Sequence, residues 1–235
     1  VAIEKVFAGL DEAFANAGYS ILGWDGHSDS LEYIWSKTYH PSFKWGHKSD
    51  ALAFLDHSWE LADFFATWNK PNEPHIQAVG MEGLAFGSPG QASSRGGIWG
   101  LYATTCMRHA DTVICAPKSL KLFVTGDGKA EKEDIRDVLA KKYKIKITKK
   151  NAKTFDEWDA MGLAEVGYWA WRINTEGIDK IKSKLKPHEL EVLWNLDKNT
   201  SGKPKGICNR PDDFYLKQLS GSMTMGEVEK FKESK

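Results

Sequence analysis

The sequence predicts an α/β fold: a mixed five-stranded sheet with helices on both faces, followed by a C-terminal helical or irregular extension. Three observations carry that expectation. Five short apolar runs, at residues 5–11, 19–24, 31–35, 75–82 and 112–116, have the length and flanking turn residues of strands. The first three follow one another closely, whereas helix-length segments separate the last two, the signature of a meander that passes into parallel crossovers. After about Arg172 the strand signals stop and the chain becomes rich in Lys and Glu.

The first run, ending Val6-Phe7-Ala8-Gly9-Leu10-Asp11, reads as a buried strand. Ala13 to Gly18 is a turn, Tyr19 to Trp24 the second strand and Leu31 to Trp35 the third. Ser49 is placed to cap a helix reaching about Asn69, before Pro71 and Pro74. Leu52, Leu55, Trp59, Ala62, Phe65 and Trp68 recur there at three and four residues and are assigned to the core. His75 to Glu82 is the fourth strand and Phe86 to Gly90 a Gly/Pro loop. Gln91 to His109 reads as a helix in which Gly96, Gly97 and Gly100 permit close packing. Thr112 to Ala116, closed by Pro117, is the fifth strand, and Gly126-Asp127-Gly128 a turn. Helices follow at Ala130 to Lys142 and Phe155 to Trp171, with Lys144 to Thr148 a short strand or loop between them. Beyond them, Ile178 to Leu185 and His188 to Leu196 read as short helices broken by Pro187, and Asn199 to Lys205 as a loop. This places a domain at 1–171 and an extension at 172–235.

Composition narrows the function classes. The 235 residues are 41% hydrophobic, with ten Trp and eleven Phe, enough for a large core. No run of eighteen apolar residues is present, so a membrane span is not expected. Glu4, Lys5, Asp11 and Glu12 fit neither a secretory signal nor a transit peptide. Cys106, Cys115 and Cys208 lack metal-ligand spacing and read as free thiols, so a cytoplasmic location is expected. Net charge is zero, yet residues 118–153 hold twelve basic residues against five acidic ones. That excess has two readings, a surface opposing phosphates or a solvated helix face.

Four carboxylates stand where metal ligands make sense. Asp11 and Glu82 end apolar runs, and Asp156 and Asp159 lie three apart on one helical face. A central first strand beside the fourth sets Asp11 next to Glu82, and the late helix must cross that end. Taken singly, each acid has the ordinary alternative of a solvated loop or helix-end residue. Together they supply the hard oxygen ligands that Mg²⁺ or Mn²⁺ prefers. Such crowding should raise at least one of their pKa values.

The order of motifs resembles the RuvC-type Holliday-junction resolvases of the RNase H-like nuclease superfamily. Ala8-Gly9-Leu10-Asp11 followed by Gly18-Tyr19-Ser20-Ile21 resembles that family's strand-Asp-turn-Gly-strand opening. Val79-Gly80-Met81-Glu82 resembles its second acidic motif. Ala116-Pro117-Lys118-Ser119-Leu120-Lys121, then Gly126-Asp127-Gly128-Lys129-Ala130-Glu131-Lys132, resembles its proline, lysine and Gly-x-Gly-x-Ala-x-Lys segment and is the most specific match. Asp156-Glu157-Trp158-Asp159-Ala160 resembles its Asp-x-x-Asp-Ala helix. The resemblance covers roughly residues 5–171. It departs at Glu12-Ala13, where the family has Pro-Gly, and at Ala85, where it has an aromatic that Phe86 supplies one step later. These departures point to a divergent, phage-type member, which would act in the host cytoplasm.

The resemblance implies an RNase H-like fold and metal-dependent endonucleolytic resolution of four-way DNA junctions. It implies that Asp11, Glu82, Asp156 and Asp159 are the catalytic and metal-binding residues. Asp11 would bridge two Mg²⁺ or Mn²⁺ ions about 4 Å apart, with Glu82 on one and Asp156 or Asp159 on the other. Lys121 and Lys132 are assigned to the DNA phosphates, with Lys118 and Lys129 as further contacts. Phe86 has two readings, a base-stacking wedge and a buried strand-end aromatic. A C2 homodimer is expected, with helix 91–109 one candidate for its contact. Two alternatives remain: a broader flap or debranching nuclease, and a junction-binding protein that does not cut.

Overall fold

The computed structural model describes residues 3–13, 16–41, 50–83, 92–148, 153–197 and 207–208. Strands β1 (Lys5–Asp11), β2 (Ala17–Asp25) and β3 (Ser30–Tyr39) form an antiparallel meander. Strands β4 (Ile76–Glu82) and β5 (Asp111–Cys115) continue the sheet in parallel on the other side of β1. The five expected strands are therefore present in a mixed sheet, and Ile207–Cys208 adds a two-residue β6 antiparallel to β5. The order is β3-β2-β1-β4-β5-β6, which puts β1 inside the sheet, buried on both faces from Val6 onward.

One face is covered by α1 (Asp50–Trp68) and α2 (Ala92–His109), whose Leu61, Phe65, Tyr102 and Cys106 pack with Leu10 and Tyr19. On the other lie α3 (Pro117–Thr125), α4 (Lys132–Lys142) and α5 (Phe155–Glu176), around Leu120, Phe123, Leu139, Trp158 and Leu163. The described part of the extension joins this second core. Helix α6 (Ile178–Ile181), a 3₁₀ turn (Lys182–Lys184) and α7 (Pro187–Asp197) add Ile181, Leu190, Leu193 and Trp194 to it.

Three sequence expectations need correction. The α1 stripe assigned to the core is split: Leu52, Leu55, Trp59 and Ala62 are exposed, whereas Phe65 is buried and Trp68 packs against the core, and the sheet is met by Ala53, His57, Leu61 and Phe64 as well. The helix carries two apolar stripes, and local spacing does not say which of them the sheet will cover. Pro117 follows β5 directly and opens α3, a helix absent from the sequence expectation. Pro at the first position and Gly126 at φ 86° beyond the end are the usual signals for such a helix. Pro187 likewise starts α7 rather than breaking a helix, because its missing N–H falls where no intrahelical partner exists. Ser49, the 86–90 loop and the 199–205 loop lie outside the described residues, and 144–148 is a loop.

Helix α5 sits on the sheet backbone to backbone. A Cβ on Gly9 would lie 1.7 Å from the Ala160 carbonyl oxygen, one on Gly80 1.8 Å from that of Leu163, and one on Gly18 2.0 Å from that of Asp156. Gly9 and Gly80 are register partners across β1 and β4, and Gly18 pairs with Asp11. These glycines make a side-chain-free strip across three strands, along which the helix descends. Almost every residue of α5 from Trp158 to Ile173 is buried as a result.

Candidate active site

Parallel pairing of β1 and β4 brings their final residues, Asp11 and Glu82, out at the same end of the sheet. Asp11, Gly9, Glu82 and Gly80 alternate onto the α5 face, so both carboxylates point toward that helix. Trp99 of α2 donates its indole N–H to the Glu82 carbonyl at 3.0 Å, and the Gly83 N–H reaches Cys115 at 2.8 Å, fixing the end of β4. Helix α5 begins at that same end. Its Thr154 cap accepts the Glu157 N–H at 3.3 Å, and Glu157 accepts the Thr154 N–H at 3.4 Å. The Asp156 backbone lies directly on Gly18, the register partner of Asp11. Asp159 follows one turn later on the face toward the strands.

The structure therefore brings Asp11, Glu82, Asp156 and Asp159 to one place. Lys132, the first residue of α4, reaches in beside them: its Nζ is 3.1 Å from Asp159 Oδ2 and 3.7 Å from Asp156 Oδ1. A capping box between Glu131 and Asp134 sets where that helix starts. Lys121 of α3 is close enough to lower the pKa of Asp159 through its charge. Lys118 and Lys129 are exposed and flank the Gly126–Gly128 turn; the Lys118 stem lies along Gly128, and the Lys129 N–H bonds Asp127 Oδ1 at 2.8 Å. Phe86 lies outside the described residues.

The acids are short of positive charge. Burial pushes the Asp11 carboxyl well above the usual carboxylate range, aided by its hydrogen bond to Glu82 and by the charges of Glu82, Asp159 and Asp156. Burial also raises Glu82, with the Glu12 and Asp159 charges adding while the Asp11 bond and Lys132 oppose. Asp159 is raised by burial against the pull of Lys132, and burial of the Lys132 ammonium is outweighed by Asp159, Asp11 and Asp156, which push it up. Asp159 Oδ1 is buried without a hydrogen-bond partner.

Among the described residues no three acid, His or Cys side chains surround a single point. Asp11 bonds Glu82, and Lys132 occupies the gap beside Asp156 and Asp159. The donor set nevertheless suits a hard divalent cation: all ligand atoms are carboxylate oxygens, one is orphaned, and three of the four acids resist carrying their charge unaided.

Two acids outside the expected set emerge. Glu12 alternates onto the opposite face, with its Oε2 buried and unpartnered, and burial followed by the Asp11 charge raises it well above the usual range. Glu157 is an anchor for the first turn of α5. It accepts Ser36 Oγ at 2.5 Å and Thr38 Oγ1 at 3.1 Å from β3, with Lys153 Nζ at 3.6 Å. The Thr154-x-x-Glu157 spacing of a capping box was the available signal.

No family model and no curated protein sequence matches the chain. Solved structures do. The RuvC structure from Thermus thermophilus aligns with a TM-score of 0.56 at 15% identity, over 73% of this chain and 97% of that one. The same organism's RuvC in complex with Holliday junction substrate aligns at 0.55 and 15% identity, over 68% and 90%. The yeast mitochondrial Holliday junction resolvase Ydc2 aligns at 0.51 and 12% identity, over 78% and 85%. The chain thus has the RNase H-like fold of the RuvC-type resolvases.

Proposed function

We propose that the protein is a metal-dependent, structure-selective endonuclease that resolves four-way DNA junctions by paired phosphodiester hydrolysis. One observation carries this reading: Asp11, Glu82, Asp156 and Asp159 converge beside Lys132 at the strand ends of a RuvC-like fold, and buried Asp11 and Asp159 and half-buried Glu82 have raised pKa values. The fold likeness to structures that include a resolvase bound to its junction substrate supports the choice of substrate.

Asp11, Glu82, Asp156 and Asp159 would hold Mg²⁺ or Mn²⁺, two ions per site in this reading. Bound there, the cations would supply an activated water and charge stabilisation for the leaving oxygen. The chain's own residues prepare the rest. The glycine strip holds the α5 acids rigidly against those of β1 and β4. Lys132, on a fixed helix start beside Asp156 and Asp159, would share their charge with the cations and meet a DNA phosphate there. Lys121 flanks it, while exposed Lys118 and Lys129 track the backbone farther out. In the hydrolysis a water oxygen bonds to phosphorus and the bond to the 3′ oxygen breaks, leaving a 5′ phosphate and a 3′ hydroxyl. A homodimer would place one such site on each of two strands.

The test is cleavage of a synthetic four-way junction with Mg²⁺, comparing wild type with Asp11→Asn. Symmetric paired nicks by the wild type alone are expected. Equal cutting of linear duplex would refute junction selectivity while leaving a nuclease. Binding without cutting under every divalent metal would leave a junction-binding protein instead.

A further inference from the structure

Of the four acids, Asp156 has the least secure seat. It is the second residue of α5, in the turn whose backbone N–H groups lack partners within the helix. Its carboxylate is a quarter exposed and meets Lys132 at 3.7 Å. What secures that turn is a polar cluster shared with β3, the edge strand of the sheet. Glu157 accepts the Ser36 hydroxyl through Oε2 and the Thr38 hydroxyl through Oε1. Thr38 also bonds the hydroxyl of Thr154, the helix cap. Lys153 closes the cluster: its Nζ donates to the Tyr33 hydroxyl at 2.5 Å and to Ser36 Oγ at 2.6 Å, and lies 4.4 Å from the Tyr33 ring centre. Strand alternation puts Ser36 and Thr38 on the α5 face but would turn Tyr33 to the other one. The pairing of β2 with β3 shifts so that Ile21 meets Trp35 and Leu22 meets Tyr33, passing over Ile34. That bulge returns Tyr33 to the α5 face, where Lys153 needs it.

We propose that Glu157 is a positioning residue: through Ser36, Thr38 and Lys153 it clamps the first turn of α5 to β3 and so fixes Asp156 for a divalent cation. The inference rests on the metal-dependent nuclease reading and deepens it, because it names residues outside the ligand set that tune cation affinity. Glu157 stands between the two aspartates, at a position that the Asp-x-x-Asp pattern leaves open. Its charge is already matched by Lys153 at 3.6 Å, so it orients a ligand rather than competing to be one. A mostly buried ion pair of this kind gains little net stability over apolar packing; what it adds here is one fixed geometry. A carboxylate on a fraying turn must be ordered when the cation binds, whereas a clamped one is ordered beforehand. Partners that hold a ligand from behind typically change metal affinity by about 10–100-fold when removed.

The test leaves every acid in place. Ser36→Ala combined with Thr38→Val removes both β3 hydroxyls. Mn²⁺ titrated calorimetrically into the full chain, with no DNA present, should bind this variant about 10-fold more weakly than wild type. Glu157→Ala should lose at least as much, and Glu157→Gln, which keeps one acceptor oxygen, should recover part of the loss. Arg172→Ala, which loosens the far end of the same helix, should leave Mn²⁺ affinity unchanged. In an Asp156→Asn background the β3 substitutions should weaken binding no further, because the ligand they hold is gone. Wild-type affinity in the Ser36/Thr38 variant overturns the proposal, as does an equal loss in Arg172→Ala, since any loosening of α5 would then suffice. An undiminished loss in the Asp156→Asn background overturns it too. A wild type that binds no Mn²⁺ ends the metal-dependent reading and this inference with it. Mn²⁺ binding that depends on Ser36 and Thr38 in a chain that cuts no junction would refute the nuclease reading and leave the positioning role standing.

Discussion

At its C-terminal end α5 carries Arg172, which is 3% exposed and fully matched. Its Nη1 donates to Asp29 at 2.5 Å and to the Tyr168 hydroxyl at 2.7 Å, its Nη2 reaches Glu176 at 2.8 Å, and the guanidinium lies over the Trp24 and Trp169 rings. Midway along the helix, buried Glu165 is likewise satisfied, by Lys142 at 2.9 Å and by the Tyr143 hydroxyl. At the N-terminal end the same helix presents Asp159 with an orphaned oxygen and a raised pKa, beside two more raised acids. One helix thus holds buried charge in two ways. Matched charge pins α5 to the β2–β3 turn and to α4, whereas its unmatched carboxylate, Asp159, stands where an external cation would complete it.

The largest expected effects test the matched end and the platform. Arg172→Ala removes a buried guanidinium with its bonds to Asp29, Tyr168 and Glu176 and should cost about 2–3 kcal/mol in urea unfolding, Asp29 keeping Lys184 and Trp24, with the metal-dependent activity of the folded fraction retained. Gly80→Ala should cost about as much by a different route, because the added methyl meets the Leu163 carbonyl and α5 must rise. Unlike Arg172→Ala, it should also reduce activity per folded molecule. Equal activity in the two folded variants would break the contrast drawn between the two ends.

Next comes the unmatched end. Asp11→Asn should lower junction cleavage by at least about 100-fold, some 3 kcal/mol of transition-state stabilisation, while metal-free stability is preserved or improved. A drop in stability matching the drop in activity would mean that Asp11 is a structural residue.

The two ends should also respond to pH with opposite sign. Asp11 is raised, so between the ordinary carboxylate value near pH ~4 and its folded value the native state holds more protons, and stability falls as pH rises. Asp29 is lowered: partial burial opposes this, but hydrogen bonds from Lys184 and Trp24 and the Arg172 charge outweigh it. Its contribution is present above the ordinary value and is lost as pH falls through the folded one. Thermal melts in chelator should show Asp11→Asn flattening the neutral limb and Asp29→Asn the acid limb, at about 2–4 °C per kcal/mol. Identical pH profiles for the two variants would refute the assignment.

The smallest effect is at the rim. Lys129→Ala should reduce the slope of log affinity against log salt by about one, uniformly across DNA sequences, where Lys132→Ala should also lower cleavage.

Much of this was legible in the chain. Gly9 and Gly80 stand two residues before Asp11 and Glu82, and strand alternation alone puts each glycine and its acid on one face. The Thr154–Glu157 box announced the start of α5. Helix α3 was hidden because its Pro117 reads equally well as a strand stop, and only the Gly126 turn after it makes both ends visible. The outward face of α1 was hidden for a different reason. Its two stripes, Leu52-Leu55-Trp59 and Ala53-His57-Leu61, have nearly the same spacing, and volume and hydropathy favour the one that the fold leaves exposed.

By itself the sequence determined the first five strands and their order along the chain, the covering of both faces, and which acids end which elements, because period, turn residues and caps act within a few residues of each other. Tertiary structure alone decided that Lys132 lies against Asp156 and Asp159, that Glu157 grips β3, and that Asp159 keeps one oxygen unmatched. Those outcomes depend on how far α5 sinks onto three glycines from three strands. That depth follows from backbone contact between segments some 80 to 150 residues apart, which no local pattern encodes.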